Sequence, residues 1–332
     1  MARILCFGEI LLRLSAPARE LMLQTPRLES HVGGAEANVA VSLARFGHQV
    51  RMASIVPDNA LGHHALSELR RWGVDVSDVK FGDGRMGLYF LTPGAGSRPS
   101  DVLYDRADSA FARASRTAIN WDQAPENTDW LHVSGITAAV SEQAAEAALM
   151  ALRIGRSVGA RTSFDANFRA KLWEARGEDS VPVLHGLFFY AMLLFADARD
   201  IALVTGEQPK NAEDAARIAF ERYPHLSILA STERKVVSAD HHELTALLFT
   251  KDGGAYRSRT HTLRGIVDRI GGGDAFAAGV IHGLWNEMSF QEIADFALAA
   301  ACLKHYIPGD FNLSTVADVN FYLSDSGSDV RR

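Results

Sequence analysis

The segment Asp268-Arg269-Ile270-Gly271-Gly272-Gly273-Asp274 runs directly into the apolar stretch AFAAGVIHGLW. Three consecutive glycines leave backbone N–H groups unshielded by Cβ atoms, and they stand where a helix is predicted over Asp274–Trp285. Several N–H groups and the positive end of the helix dipole then converge on one point, an anion hole suited to phosphate. Asp274 sits beside that hole, where its carboxylate can accept a proton from an attacking hydroxyl. A Gly-rich turn capped by an aspartate is the plainer meaning of the same residues. The segment is neither a Gly-Lys-Ser/Thr phosphate loop nor a dinucleotide GxGxxG. A second glycine pair, Gly33-Gly34, enters a predicted helix over Ala35–Phe46. Paired glycines permit a hinge and close approach of backbone to ligand. Asn38 offers both a donor and an acceptor to a polyol. A simple loop-to-helix turn is the alternative there.

These residues need elements to bring them together across more than 230 positions. Ile4–Phe7 reads as a buried strand delivering the loop at Gly8-Glu9, and Gln49–Val56 as the next strand. A helix over Ala60–Trp72 follows, with Gly73 ending it. The strand and helix alternation recurs: Trp130–Val133, the helix Ser141–Ser157, Arg161–Phe164, Leu193–Ala196, the helix Glu213–Arg222, and Ser227–Ala230. The apolar run Leu187–Ala196 reads as a strand with its flank. Such alternation implies an α/β fold, a mostly parallel central sheet with helices on both faces. Two stretches break the rhythm, 11–32 and 85–106. The second alternates and turns at Pro93-Gly94. Both read as strands of a small β-lid inserted into a core made of 1–10, 33–84 and 107–325. Near the end come a hairpin over Ala246–Tyr256, a second helix over Gln291–Tyr306 and a polar, frayed tail from Ser324 onward.

Composition narrows the function. The chain has 332 residues, 47% of them apolar and 22% charged, which excludes a disordered or coiled-coil protein. Its 34 basic and 40 acidic residues give a net charge of −6, a poor match to nonspecific nucleic-acid binding. Cys6 and Cys302 form neither a disulfide framework nor a zinc motif, so a reducing cytoplasm is expected. Charges at Glu9 and Arg13 interrupt any signal-peptide core, and ten apolar residues are too few for a membrane span, which takes roughly 20. Adjacent histidines at His63-His64 and His241-His242 have no third ligand nearby and read as solvated. Trp121 and Trp130 read as core anchors, and Phe296, Leu303 and Tyr306 as the buried stripe of the last long helix.

Taken together, GGAEANVA near the start and DRIGGGD followed by AFAAG near the end resemble the two signatures of the ribokinase-like (PfkB) carbohydrate kinases. The resemblance spans Ile4 to about Leu323. Within that family the chain is most similar to the 2-keto-3-deoxygluconate kinases, through FDANFR at 164–169, SGIT at 134–137, Tyr89 with Tyr104, and IPGDFN at 307–312. It implies a sugar-acid site around Gly33, Gly34, Asn38, Tyr89, Tyr104, Arg106, Arg169 and Asp310. It implies nucleotide contacts from Asn167, Thr232, Asp268, Gly271 and Gly273. It also implies an ATP-dependent transfer to a primary hydroxyl, with Mg2+ as cofactor. There is a physical reason for Arg169 and Arg106: a guanidinium grips a carboxylate in a bidentate fork, which a neutral sugar does not need. A surface ion pair at Arg169 and simple lid packing of the tyrosines are the alternatives.

Four departures from the family pattern stand out. Gly272 replaces the usual alanine, and Arg269 replaces a threonine. The Asn-x-x-Glu motif linked to magnesium becomes Asp197-Ala198-Arg199-Asp200, leaving Asp197 and Asp200 to hold the metal through water. The Thr-x-x-Gly region aligns with Thr232-Glu233-Arg234-Lys235, which has no glycine. Whether a monovalent cation is also needed is left open. The lid strands expose edges, and pairing two lids would cover them, so at least a homodimer is expected. A same-family kinase of fructose or ribose, and a catalytically dead sugar-binding regulator, are the rival readings. No nucleic-acid or membrane partner is expected.

Overall fold

A computed structural model describes residues 1–324. Among them the chain runs β1 (Arg3–Phe7), β2 (Leu11–Ser15), β3 (Glu29–Gly33), α1 (Ala35–Arg45), β4 (Gln49–Pro57) and α2 (Ala60–Arg71). Next come β5 (Val74–Asp75), β6 (Val79–Gly82), β7 (Gly87–Thr92), β8 (Asp101–Asp105), α3 (Ala110–Arg113), β9 (Trp130–Ser134), α4 (Gly135–Val140) and α5 (Glu142–Ser157). β10 (Arg161–Asp165), α6 (Ala170–Arg176), α7 (Ser180–Tyr190), β11 (Leu193–Phe195), α8 (Ala198–Thr205) and α9 (Ala212–Arg222) follow. The last part holds β12 (Ile228–Ser238), β13 (His241–Thr250), β14 (Ala255–Arg257), β15 (His261–Arg264), α10 (Gly272–Trp285), α11 (Phe290–Lys304) and α12 (Val316–Leu323).

The main sheet has the order β14-β13-β12-β11-β10-β9-β1-β4-β5, with β15 on β13 and β6 on β4. Its middle is parallel from β12 to β5, and β13, β14 and β15 are antiparallel additions at one edge. Both faces are covered, so its strands must be apolar in both phases of the alternation. Ile4 and Cys6 of β1 enter one core beside α1, α10 and α11. Leu5 and Phe7 enter the other, beside α5, α7 and α9. Trp130 and Trp121 are buried, and the Trp130 indole donates to Ser163 Oγ at 2.8 Å. A separate 4-stranded sheet, β3-β2-β7-β8, is formed by the two stretches that broke the helical rhythm. β7 and β8 pair antiparallel, but the chain reverses at Gly96-Ser97, closed by the Ala95–Arg98 bridge, three residues beyond the expected Pro93-Gly94, because Gly96 is the residue that takes the left-handed φ of 56°.

Several local expectations need correction. Leu187–Tyr190 belong to the end of α7, not to a strand flank. Asp179 caps that helix, and an all-apolar run as short as this one fits either element. β12 continues to Ser238, far past Ala230, because it pairs with β13 along its whole length. His242 is not solvated but wholly buried inside β13. Tyr306 lies beyond α11 and is 39% exposed, while Phe296 is buried as expected. The tail expected to fray lies, from residue 325, outside the described residues. No helix among the described residues is long and apolar enough to cross a membrane.

Candidate active site

The carboxyl ends of β10, β11 and β12 open into a cavity of about 1050 Å3. Leu11, Tyr89, Val102 and Tyr104 of the small sheet form its roof. Ligands of open α/β sheets bind at this end of the strands. A smaller cleft beside Arg3, Asp129 and Trp285 lies at the opposite, amino ends and gathers none of the groups described below.

Helix α10 points its N-terminus into the cavity. Gly271 is the N-cap residue, no side chain caps the helix, and Gly272, Gly273 and Asp274 form its first turn. N–H groups in a first turn have no intrahelical acceptor; that of Gly272 makes a long bond of 3.4 Å to the Arg269 carbonyl, one that an anion can displace. Gly271 has φ 81°, and a Cβ there would stand 2.0 Å from the Asp310 carbonyl oxygen. Only glycine fits both demands. A Cβ on Gly273 would meet nothing, so that residue is open to the cavity. On Gly272 a Cβ would stand 2.8 Å from His305 Cε1. Asp274 is half-buried, and Asn38 Nδ2 on α1 donates to its Oδ2 at 2.7 Å. Burial is the largest influence on that carboxyl and pushes it up to about 7, with the Asn38 bond opposing. It is therefore poised to exchange a proton near neutral pH. Asn38 Oδ1 is buried with no protein partner. Gly34 enters α1 at φ 136° directly against the Glu9 carbonyl.

Under the roof lies an ionic network that sequence reasoning missed. Arg13, 1% exposed, donates from Nη2 to Asp268 Oδ2 at 2.6 Å and places Nε 3.2 Å from Asp310 Oδ1. Tyr89 donates to Asp310 Oδ2 at 2.6 Å. Burial holds the Asp310 carboxyl above the usual carboxylate range, against the pull of Arg13. Lys304 at the end of α11 is 0% exposed, donates to the Ile307 carbonyl at 2.8 Å, and is pushed by burial down to about 8. Asp268 is a correction. It does not line the cavity; Arg13 and the N–H groups of Ile270 and Gly309 occupy its carboxylate. Gly33 also stays off the cavity wall, packed against the Asp310 carboxylate. The alternation of Leu12 and Leu14 with Arg13 and Ser15 would turn Arg13 outward, so the pattern held no sign of its inward role. Lys304 carried no sign, since a lysine ending a helix is ordinary.

The remaining expected residues fall on the same cavity. Arg106 lines it, but its Nε donates to buried Glu9 at 2.6 Å, a partner not anticipated. Arg169 is the N-cap residue of α6 beside the cavity, and among the described residues its side chain bonds only to the Phe168 carbonyl, at 3.0 Å. Asn167 holds φ 37°, and its N–H donates to Asp165 Oδ1. Such a left-handed asparagine is a strained conformation that clusters at binding sites. Tyr104 pairs across strands with Tyr89, and both line the cavity. Thr232 lines it from β12. Asp197 and Asp200 reach the wall, yet Asp197 is committed to capping α8 and to Arg199. Asp200 and the unanticipated Asp165 are the freer carboxyls. Burial lifts them to about 6 and about 8 respectively, and Asp274 adds to the second. Among the described residues no three metal-ligating side chains converge. The SGIT string serves α1 from behind: Ser134 and Thr137 donate to buried Glu36, two residues before Asn38.

Comparison with known proteins gives a consistent result. The family model for pfkB family carbohydrate kinases matches residues 1–306. The chain is 32% identical to the 2-dehydro-3-deoxygalactonokinase of Haloferax volcanii over 99% of both chains. It is 28% identical to the 2-dehydro-3-deoxygluconokinase of Bacillus subtilis, over 92% of this chain and 90% of the relative. The crystal structure of 2-dehydro-3-deoxygluconokinase from Thermotoga maritima superposes with a TM-score of 0.92 at 34% identity, covering 98% of this chain and 100% of the other.

Proposed function

Since the chain belongs to the pfkB family of carbohydrate kinases, we propose that it phosphorylates a 2-keto-3-deoxy sugar acid at its terminal primary hydroxyl, using ATP. The leading substrate is 2-keto-3-deoxygluconate, the same compound as 2-dehydro-3-deoxygluconate. The observation that carries this reading is the shared cavity: a basic carboxyl at the bare N-terminus of α10, and an arginine, Arg169, that makes no ion pair among the described residues. The relatives named for 2-dehydro-3-deoxy sugar acids support it.

In this mechanism the sugar acid lies under the small sheet. Asn38 Oδ1, Tyr89, Tyr104, Asp310 and the Gly34 backbone meet its hydroxyls, and Arg169, with the terminal nitrogens of Arg106, meets its carboxylate. Asp274 orients the terminal hydroxyl and takes its proton as the oxygen attacks the γ-phosphorus. The N–H groups of Gly272, Gly273 and Asp274 receive the charge on the moving phosphoryl group. Preset donors of this kind are worth roughly 3–4 kcal/mol each. Asn167, Thr232, Gly271 and Gly273 border the nucleotide, whereas Asp268 acts from behind through Arg13. Mg2+, when bound, neutralises charge on the phosphate chain. It retains waters and needs only one or two carboxylates beyond the phosphates, a demand that Asp200 and Asp165 fit better than Asp197. Closure of the small sheet about Gly34 excludes water as a competing acceptor. An ATP-fed reaction and two reduced, buried thiols go with a cytoplasmic setting. The outer face of the small sheet presents Leu14, Phe90 and Leu103 and is the surface for a homodimer.

Release of ADP, followed over a panel of 2-keto-3-deoxygluconate, its galactonate epimer, fructose and ribose, tests the reading. Turnover of one or both sugar acids well above the neutral sugars is expected. Preference for fructose or ribose overturns the sugar-acid assignment, and silence with every acceptor overturns the kinase assignment.

A further inference from the structure

The mouth of the cavity carries more positive charge than a sugar carboxylate requires. Arg199, Arg234 and Arg269 line it together with Arg169, from α8, β12 and the loop before α10. Arg199 has Asp197 as a counter-ion at 2.6 Å. Arg234 and Arg269 have no carboxylate within 4 Å among the described residues. Desolvation of its guanidinium first, and then the charges of Arg269, Arg199 and Arg169, hold Arg234 below the usual range, although the residue as a whole is exposed. The nearby acids do not compensate. Asp197 and Asp310 already have arginine partners, and among the described residues no ion pair joins Asp165, Asp200 or Asp274 to Arg234 or Arg269.

The strand explains why Arg234 cannot find a partner of its own. β12 pairs with β11 only over Ile228–Ala230 and then runs on past the sheet's edge, paired with β13 alone. Side chains alternate along it. Glu233 and Lys235, on the outer phase, are satisfied by Arg257 and Glu243. Thr232, Arg234 and Val236, on the inner phase, overhang the cavity. Arg269 approaches from the other side, two residues before the Gly271 turn that opens the anion hole. Two guanidiniums that line one cavity beside an anion hole and act on each other are repulsive unless a polyanion lies between them.

We propose that Arg234 and Arg269 clamp the phosphate chain of the nucleotide donor, on the side of the anion hole away from the sugar. This rests on the kinase reading and adds residues to it. The aligned region has no glycine for close backbone approach, and here side-chain charge does the holding. Arginine suits the role because its planar fork matches phosphate oxygens bidentately. The clamp reads phosphates and not the base, so donor affinity should follow phosphate number.

The test is calorimetric titration of the full-length protein, without sugar, with ATP, ADP, adenosine and inorganic tripolyphosphate. Arg234→Gln and Arg269→Gln should each weaken ATP and tripolyphosphate about 10- to 100-fold, the span of a charge-assisted bond. Adenosine should change by less than about threefold, because it carries no phosphate for the bonds lost. Both arginines are exposed, so the variants should unfold at the wild-type temperature. Lys235→Gln, on the outer phase of the same strand, is the control and should leave ATP affinity unchanged. If the wild type binds ATP while Arg234→Gln and Arg269→Gln bind it equally well, the clamp is wrong and the kinase reading stands. If the two variants instead raise only the Michaelis constant for the sugar acid, these arginines serve the acceptor and the clamp is wrong. If the wild type binds neither ATP nor tripolyphosphate, the kinase reading itself falls.

Discussion

At the scale of single residues the site is a set of charges placed where they are costly to keep, which is the usual mark of use. Asp274→Asn keeps the Asn38 contact region and the helix start, since asparagine is also tolerated there. Turnover should fall at least ~10²-fold, the low end for losing a general base; retention of a third of wild-type turnover would remove Asp274 from that role. With the carboxyl near 7, the rate should climb as pH rises through about 7, because only the deprotonated form accepts a proton. Asp165 carries a stability consequence. Its folded value is raised to about 8 from an unfolded value near 3.8, so the folded state holds a proton that the unfolded state releases between those limits. Its contribution to stability is therefore full at low pH and is lost as pH rises toward 8. Asp165→Asn keeps the oxygen that accepts the Asn167 N–H, so its melting temperature should exceed wild type at pH 8 and match it near pH 4. An unchanged difference across that range would mean that Asp165 ionises normally. Arg169→Ala should raise the sugar-acid Michaelis constant about 10- to 150-fold with turnover preserved, and Arg169→Lys by less. Which residues were legible follows from their chemistry. Asp274, Asn38 and Arg169 stand beside glycines or at strand ends, where side chains of those types have a visible purpose. Glu9, Arg13 and Lys304 were hidden because their meaning depends on partners distant in the chain, such as Arg106 and Asp310.

The elements fix those charges in place, and the helix boundaries were legible because their caps are local. Gly47 and Gly73 stop α1 and α2 at positive φ, and Ser141 caps α5 through the Ala144 N–H. α7 and β12 were harder. A run such as LFFYAMLLFA is apolar in every phase, so it does not reveal where helix yields to strand. Thr232–Val237 is charged and polar enough to read as loop, and becomes strand only because His242–Ala246 pairs with it. Tertiary pairing decided the outcome there, not propensity. The start of α10 is the element on which the proposed reaction depends most. Gly271→Ala should disrupt it in two ways, through the left-handed dihedral and through collision with the Asp310 carbonyl. Circular dichroism should still show a folded protein, while turnover should collapse by at least ~10²-fold, the scale of losing an oxyanion donor. A fully active alanine variant would mean that the N-terminus of α10 is not where charge develops.

Over the whole molecule, two sheets divide the work. The main sheet presents acids and N–H groups at its carboxyl edge, and the small sheet roofs the cavity. The roof is thin: four strands with one face on the site and the other, bearing Leu14, Phe90 and Leu103, turned away from it. Leu103 is 64% exposed and sits on β8, the edge strand, whose next residue is Tyr104 on the opposite face. That face is only partly covered: Leu12 and Leu88 pack against the main core, while Leu103 stays exposed, and an uncovered apolar face is costly in water. A second copy of the same sheet would cover that face and stiffen the roof, which joins assembly to substrate binding. Leu103→Asp places a charge at the centre of the proposed contact without touching the cavity side of β8. Light scattering should find the wild type as a dimer and the variant as a monomer at the same concentration. With its roof no longer braced, the monomer should bind the sugar acid several-fold more weakly. ATP affinity should hold, because the proposed donor contacts lie on the main sheet and its edge hairpin. A wild-type monomer would remove the lid-to-lid dimer altogether. A monomeric variant with unaltered sugar affinity would separate assembly from catalysis and leave the roof sufficient by itself.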